Sequence, residues 1–310
     1  VGFAVPDDTA LIADGGLATE LEARGNDLSD ALWSARLLVD APQEIAAVHS
    51  AFFRAGAMIA TTASYQASFE GFAARGIDHR DIEQLLRRSV KLAQAARDEV
   101  GGGVGDRKGG ESGRGGSPTK CRWVAASIGP YGAALADGSE YRGRYGLSVA
   151  QLQAWHRPRL EVLAGAGADV LALETIPDVD EAEALVNLLP GIDMPAWLSY
   201  TIDGANTRAG QPLADAFAVA AGVPEIVAVG VNCCSPDDVL PAIGLARQTG
   251  KPVIVYPNSG ESWDGRAWTG SSRFSPQLAP QWVSAGARIV GGCCRVRPPD
   301  IAELATVVGR

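Results

Sequence analysis

Short apolar runs recur along this chain, each followed by a longer amphipathic stretch, and that alternation limits the fold more than any other feature. The runs predict strands over Ala10 to Ala13, Met58 to Thr62, Trp123 to Ile128, Val170 to Thr175, Ala196 to Thr201, Ile226 to Asn232, Pro252 to Tyr256 and Arg288 to Gly291. Several of them (VLALE, IVAVGVN, PVIVY) lack a polar face, as parallel strands covered on both sides do. Between them the clearest helix spans Asp81 to Val100, with Ile82, Leu85, Leu86, Val90 and Ala93 on one face. Others begin near Gln43, Val149, Val179, Leu213, Pro236, Pro276 and Pro299, and Pro158 predicts a kink or a split in the one from Val149. The phrases AGAMI, AGADV, AGVPEI and AGARI precede strands, each reading as a helix end with a left-handed glycine. Eight such units predict an α/β fold, a (β/α)8 TIM barrel in a single domain over residues 1–310, with a doubly wound sheet as the alternative.

One segment fits neither pattern. Residues 101–119 hold nine glycines and no large apolar side chain but Val104, too little burial to offset the entropy of ordering. They read as a flexible insertion between the second helix and the third strand, on the N-terminal face of a barrel. Elsewhere, 27 basic against 36 acidic residues give a net charge of -9, which offers no general field for nucleic acid or an anionic membrane. With no spanning apolar run and no secretory pattern at the N-terminus, the expectation is a cytoplasmic protein acting on small molecules, as a monomer or small homo-oligomer.

In a parallel barrel the chemistry gathers at the C-terminal ends of the strands. There the sequence sets Asp14, Gly15 and Gly16 after strand one, and Glu174 and Thr175 at strand four. Asn232, Cys233 and Cys234 follow at strand six, and Gly292, Cys293 and Cys294 after strand eight. Two cysteine doublets are a poor disulfide framework but a good soft-metal site, and strands six and eight are separated only by strand seven. Both cysteines of one doublet can ligate if Gly291 and Gly292 let the chain turn sharply. With one cysteine from strand six this makes three thiolates, and a fourth position left open marks a catalytic zinc. The opposing reading, four buried cysteines that merely pack, explains a single doublet better than two on one rim. His49, His79 and His156 fall in helices and read as surface or hydrogen-bonded residues.

Together with DGGLATELEARG (14–25), LWSARLL (32–38), TTASYQASFEGF (61–72), GPYGAALADGSEYRG (129–143), ALETIP (172–177) and YPNSGESWD (256–264), the GVNCC and GGCCR motifs resemble those of the homocysteine S-methyltransferases. The resemblance covers nearly the whole chain apart from the glycine-rich insertion. It is closer to the branch using S-methylmethionine or S-adenosylmethionine than to the betaine-using branch. The betaine branch carries a tyrosine where this chain has Thr175, and a C-terminal extension beyond the point where this sequence stops.

The resemblance implies roles. Cys233, Cys293 and Cys294 match the zinc cysteines, leaving Cys234 to packing. Asp14 and Glu174 match the groups that hold the amino acid's ammonium, and the amides of Gly15, Gly16 and Leu17 match the cradle for its carboxylate. Asn232 joins the substrate-binding set, and Tyr65, Tyr131 and Tyr256 are candidate aromatic faces for a sulfonium cation. The implied reaction is zinc-dependent methyl transfer to L-homocysteine, giving methionine; a selenol acceptor is the near alternative. A metallohydrolase would favour histidine and carboxylate ligands, and a zinc-storage protein would leave Asp14 and Glu174 unexplained.

Overall fold

Valine-, isoleucine- and alanine-rich runs covered on both faces form eight strands: β1 (Leu11–Ile12), β2 (Ile59–Thr61), β3 (Trp123–Ile128), β4 (Val170–Ile176), β5 (Ala196–Tyr200), β6 (Ile226–Asn232), β7 (Val253–Tyr256) and β8 (Ala287–Val290). The computed structural model describes residues 2–30, 32–101, 121–263 and 268–309. Within this sheet every pairing is parallel, in the order β1-β8-β7-β6-β5-β4-β3-β2. A parallel bridge between Ala13 and Ile59 joins the two ends. There the Met58 amide donates to Ile12 O at 2.7 Å and the Asp14 amide to Ile59 O at 3.0 Å. The sheet therefore closes into a barrel, and the doubly wound alternative falls away.

Around it stand α1 (Pro42–Arg54), α2 (His79–Glu99), α3 (Val149–Ala164), α4 (Val179–Val186), α5 (Leu213–Ala221), α6 (Pro236–Ala246), α7 (Ala279–Ala285) and α8 (Pro298–Val308). Asp78, Ser148, Asp178 and Ser235 cap four of them with side-chain oxygens, satisfying amides that have no intrahelical acceptor. The expected face of α2 is the buried one. Pro158 neither breaks nor splits α3, because Leu152, Leu160 and Leu163 around it are buried and hold the helix through the missing hydrogen bond. Of the glycines before strands, Gly56, Gly167 and Gly286 have positive φ as expected, whereas Gly222 sits at φ -95°. The glycine-rich insertion lies, from residue 102 onward, outside the described residues.

Alternation along each strand sorts side chains into two cores. Those pointing outward pack under the helices, as Leu171 and Leu173 do. Those pointing inward fill the barrel: Leu11, Ile59, Ala125, Val170, Ala172, Trp197, Ala228, Ile254 and Ile289, with Phe3 against Trp123 and Trp197. Continuing the same parity toward the C-terminal ends brings Thr61, Ser127, Glu174, Ser199 and Asn232 to the top of the barrel as a polar layer. Gly230 belongs to this inward row, where a Cβ would lie 1.7 Å from Ile254 O. No described helix is long and apolar enough to cross a membrane.

Candidate functional site

The polar layer surrounds two buried carboxyl groups. Asp14 accepts from the Thr61 amide at 2.8 Å and from the Thr61 hydroxyl at 3.0 Å. Glu174 accepts from the Ser127 hydroxyl, and the nearby Tyr256 hydroxyl favours its ionised form. Burial nevertheless dominates, pushing Asp14 up to about 8 and Glu174 up to about 7, and the charge of Glu174 adds to the rise at Asp14. Two buried acids held by hydroxyls, with no cationic side chain bonded to either among the described residues, suit a cationic ligand group.

Asn232 and Tyr256 act one step behind this pair. The Asn232 carbonyl oxygen accepts from the Thr175 amide and the Ser199 hydroxyl, both at 2.7 Å, and its amide donates to the Thr175 hydroxyl at 2.7 Å. That clamp holds Thr175 in a left-handed conformation, φ 60°, at the irregularity near the end of β4 that carries Glu174. The Tyr256 hydroxyl receives the Trp197 indole N–H at 3.1 Å and lies 2.8 Å from Ser199. Tyr256 thus serves the floor of the site through its hydroxyl, not the rim through its ring.

The sulfurs of Cys233, Cys293 and Cys294 lie within 4.8 Å of one another, with 4.0 Å between Cys233 and Cys294. Cys233 and Cys293 are joined as a disulfide. The proximity that makes two thiols co-ligands also lets them pair. Thiolates 2.3 Å from a tetrahedral ion stand roughly 3.8 Å apart, so the three sulfurs, once reduced, fit a metal ion without rebuilding the loops. Each loop is pinned: the Cys233 amide donates to Tyr256 O, its carbonyl receives the Thr201 hydroxyl, and the Cys293 amide donates to Pro257 O at 2.7 Å. Cys234 points the other way, into the core under the helices, and burial pushes its thiol up to about 12.

Gly291 and Gly292 differ from expectation. Neither has positive φ; what they supply is room, since a Cβ on Gly291 would lie 2.8 Å from the Ala13 side chain and one on Gly292 2.2 Å from Val296. The left-handed residues of the turns are Cys233 at φ 46° and Arg295 at φ 69°. Gly15 and Gly16 likewise press on this loop, with a Cβ on either 2.5 or 2.6 Å from the carbonyl of Val296 or Cys293. The Gly16 amide donates to Val296 O at 2.9 Å and so is engaged within the protein. Leu17 opens the short helix Leu17–Ala23, where the first amides have no intrahelical acceptor.

Of the tyrosines, Tyr65 lies near the Thr175 side chain and packs on Gly129, whereas Tyr131 turns toward Tyr145 and Trp155. The tyrosine that comes near the sulfurs is Tyr141, whose hydroxyl and the Cys294 thiol are close enough to shift each other's titration. In sequence it lies inside the GPYGAALADGSEYRG motif, away from any strand end. It ends a short 3-10 turn, Ser139–Tyr141, which no periodicity announces. Ser127, Ser199 and Thr61 were missed too, although the inward parity of their strands was there to find them. Among the histidines, His79 is exposed beside Glu83 and His156 bonds Glu181 at 2.9 Å, as expected. His49 differs: it is fully buried, with neither ring nitrogen hydrogen-bonded among the described residues.

Residues 11–308 match the family model described as homocysteine S-methyltransferase. A homocysteine S-methyltransferase of Escherichia coli (strain K12) is 48% identical over 302 residues, covering 95% of this chain and 94% of the relative. The crystal structure of the homocysteine methyltransferase MmuM from Escherichia coli in its metallated form superposes with a TM-score of 0.83 at 44% identity, covering 97% of this chain and 96% of that one. Its oxidized form gives 0.83 at 45% identity, covering 96% of each chain.

Proposed function

The chain belongs to the homocysteine S-methyltransferase family, and from that premise we propose that it carries a methyl group from a sulfonium donor, S-methylmethionine or S-adenosylmethionine, to the sulfur of L-homocysteine, with zinc as its cofactor. The observation that carries this reading is the convergence of three cysteine sulfurs beside two buried carboxyl groups at one barrel rim. Cys233, Cys293 and Cys294 would hold the zinc, whose bound state would keep the homocysteine sulfur as thiolate near neutral pH.

Asp14 and Glu174 bind the ammonium of homocysteine, and with that cation in place both are ionised. Amides at Gly15 and Leu17 face its carboxylate, with Gly16 locking this turn to the cysteine loop. Thr61, Ser127 and Tyr256 hold the carboxylates in position, and Asn232, next to Cys233, fixes Thr175 beside Glu174. Tyr65 and Tyr141 line the approach of the donor, and Tyr131 supports that loop. In the transfer, a sulfur lone pair of homocysteine forms the new S–C bond as the C–S bond of the sulfonium breaks, its electrons returning to the donor sulfur. No side chain needs to move a proton in that step.

The test is methionine formation by reduced, zinc-supplied protein from L-homocysteine with S-methylmethionine, S-adenosylmethionine or betaine, assayed side by side. Turnover with a sulfonium donor and none with betaine is expected. Turnover with betaine alone would overturn the donor assignment.

A further inference from the structure

The loop after β3 carries an acid that the reading above leaves without a task. Glu140 precedes Tyr141 in the 3-10 turn Ser139–Tyr141, and its Oε2 is buried with no hydrogen-bond partner among the described residues. No ion pair among those residues includes it: Arg142, whose charge reaches Glu140 without pairing with it, faces Asp137 at 4.0 Å, and Arg208 lies over the Tyr141 ring at 5.9 Å. Burial raises the Glu140 carboxyl above its usual range, as expected of an acid awaiting a cation, and in its ionised form its charge reaches Tyr65, Tyr141, Tyr145 and Cys294, which come from the loops after β2, β3 and β8. Its place is fixed by close packing. A Cβ on Gly132 would lie 2.5 Å from the Glu140 amide nitrogen and 2.8 Å from the Tyr145 hydroxyl, and the turn is tied by Tyr141 N–H to Gly138 O and Gly143 N–H to Ser139 O.

A buried carboxylate oxygen lacking a donor is destabilising unless a cation completes it. Two kinds of cation enter a site that joins an amino acid to a sulfonium. An ammonium carries N–H donors and suits Asp14 and Glu174. A sulfonium has no N–H; its charge is satisfied by a nearby anion and by aromatic faces, which is what Glu140, Tyr65 and Tyr141 present beside Cys294. We propose that Glu140 is the anion that recognises the sulfonium charge of the methyl donor, and so the residue that separates a charged donor from its neutral thioether twin.

The proposal rests on the methyl-transfer reading and adds a kinetic signature. Transfer removes the sulfonium charge, so Glu140 attracts the bound donor more than the transition state. Loss of its charge weakens donor binding without slowing the chemical step. A residue that only supported the loop would lower kcat and disturb both substrates together.

Glu140→Gln keeps the shape and removes the charge. In reduced, zinc-loaded protein, calorimetry with S-methylmethionine should show at least tenfold weaker binding, while methionine, whose sulfur is neutral, changes less than twofold. In turnover the donor KM should rise by a similar factor, with kcat not lowered and the homocysteine KM within twofold of wild type. Glu140→Asp, which retains the charge, should keep most of the discrimination. Equal loss for the two ligands, no loss, or the same defect in Glu140→Asp as in Glu140→Gln would overturn the assignment. Absence of transfer from any sulfonium by the wild type would instead sink the methyl-transfer reading. The wild-type preference for the charged ligand over the neutral one would still decide the role of Glu140.

Discussion

Glu174 shows how one side chain depends on those around it. It is buried, bonded by the Ser127 hydroxyl with that of Tyr256 nearby, and raised to about 7, so it stands ready to ionise when an ammonium arrives. Glu174→Gln keeps the hydrogen-bonding shape and removes the charge. A hydrogen bond to a charged group contributes about 1.5 to 3 kcal/mol, so the homocysteine KM should rise roughly ten- to a hundredfold. Zinc content should not change, since no cysteine loop leans on this carboxylate. A wild-type KM in this variant would take Glu174 out of the substrate pocket. Asp14, Glu174 and the two cysteine doublets could be located from sequence because each stands at or just past a strand end; which cysteine of the first doublet faces the site came only from the family resemblance, since Cys233 and Cys234 share that strand end. Glu140 and Tyr141 could not, since their position depends on a turn closed by Gly132 and Gly138, and such packing leaves no periodic trace.

Among the elements, α1 carries a different liability. His49 lies on its buried face, and burial pushes the imidazole down to about 4. In the unfolded chain a histidine titrates near ~6.5. Above that value both states are neutral and His49 has no pH-linked effect. As the pH falls from about 6.5 toward 4, the unfolded chain takes up a proton that the folded one refuses, and stability is lost by up to about 3 kcal/mol. His49→Leu removes this linkage, so urea midpoints measured at pH 7 and pH 4.5 should differ less for the variant than for wild type. Identical pH dependence would mean that His49 is not held neutral. Several strands matched expectation closely, β3 and β6 to the residue, because an apolar run bounded by turns leaves little freedom. At β1, only Leu11–Ile12 pair as strand, because the seam with β2 is closed by a single bridge. Similarly, α3 continues through Pro158 because tertiary burial outweighs the local rule, which sequence alone does not weigh.

Across the whole molecule, barrel closure is what turns distant motifs into one site. Residues 14, 174, 233 and 293 lie far apart in sequence, yet the parallel order sets their strand ends around one opening. The contact between the Cys233 and Cys293 sulfurs shows how close that closure brings them; because only thiolates ligate, the metal test is made on reduced protein. Zinc analysis of reduced protein decides whether the opening is a metal centre. Wild type and Cys234→Ser should each hold one zinc per chain, because Cys234 faces the core under the helices. Cys233→Ser, Cys293→Ser and Cys294→Ser should each lose most of it, because two remaining thiolates are too few. Full zinc content in those three variants, or loss in Cys234→Ser alone, would mean that these sulfurs do not form the site.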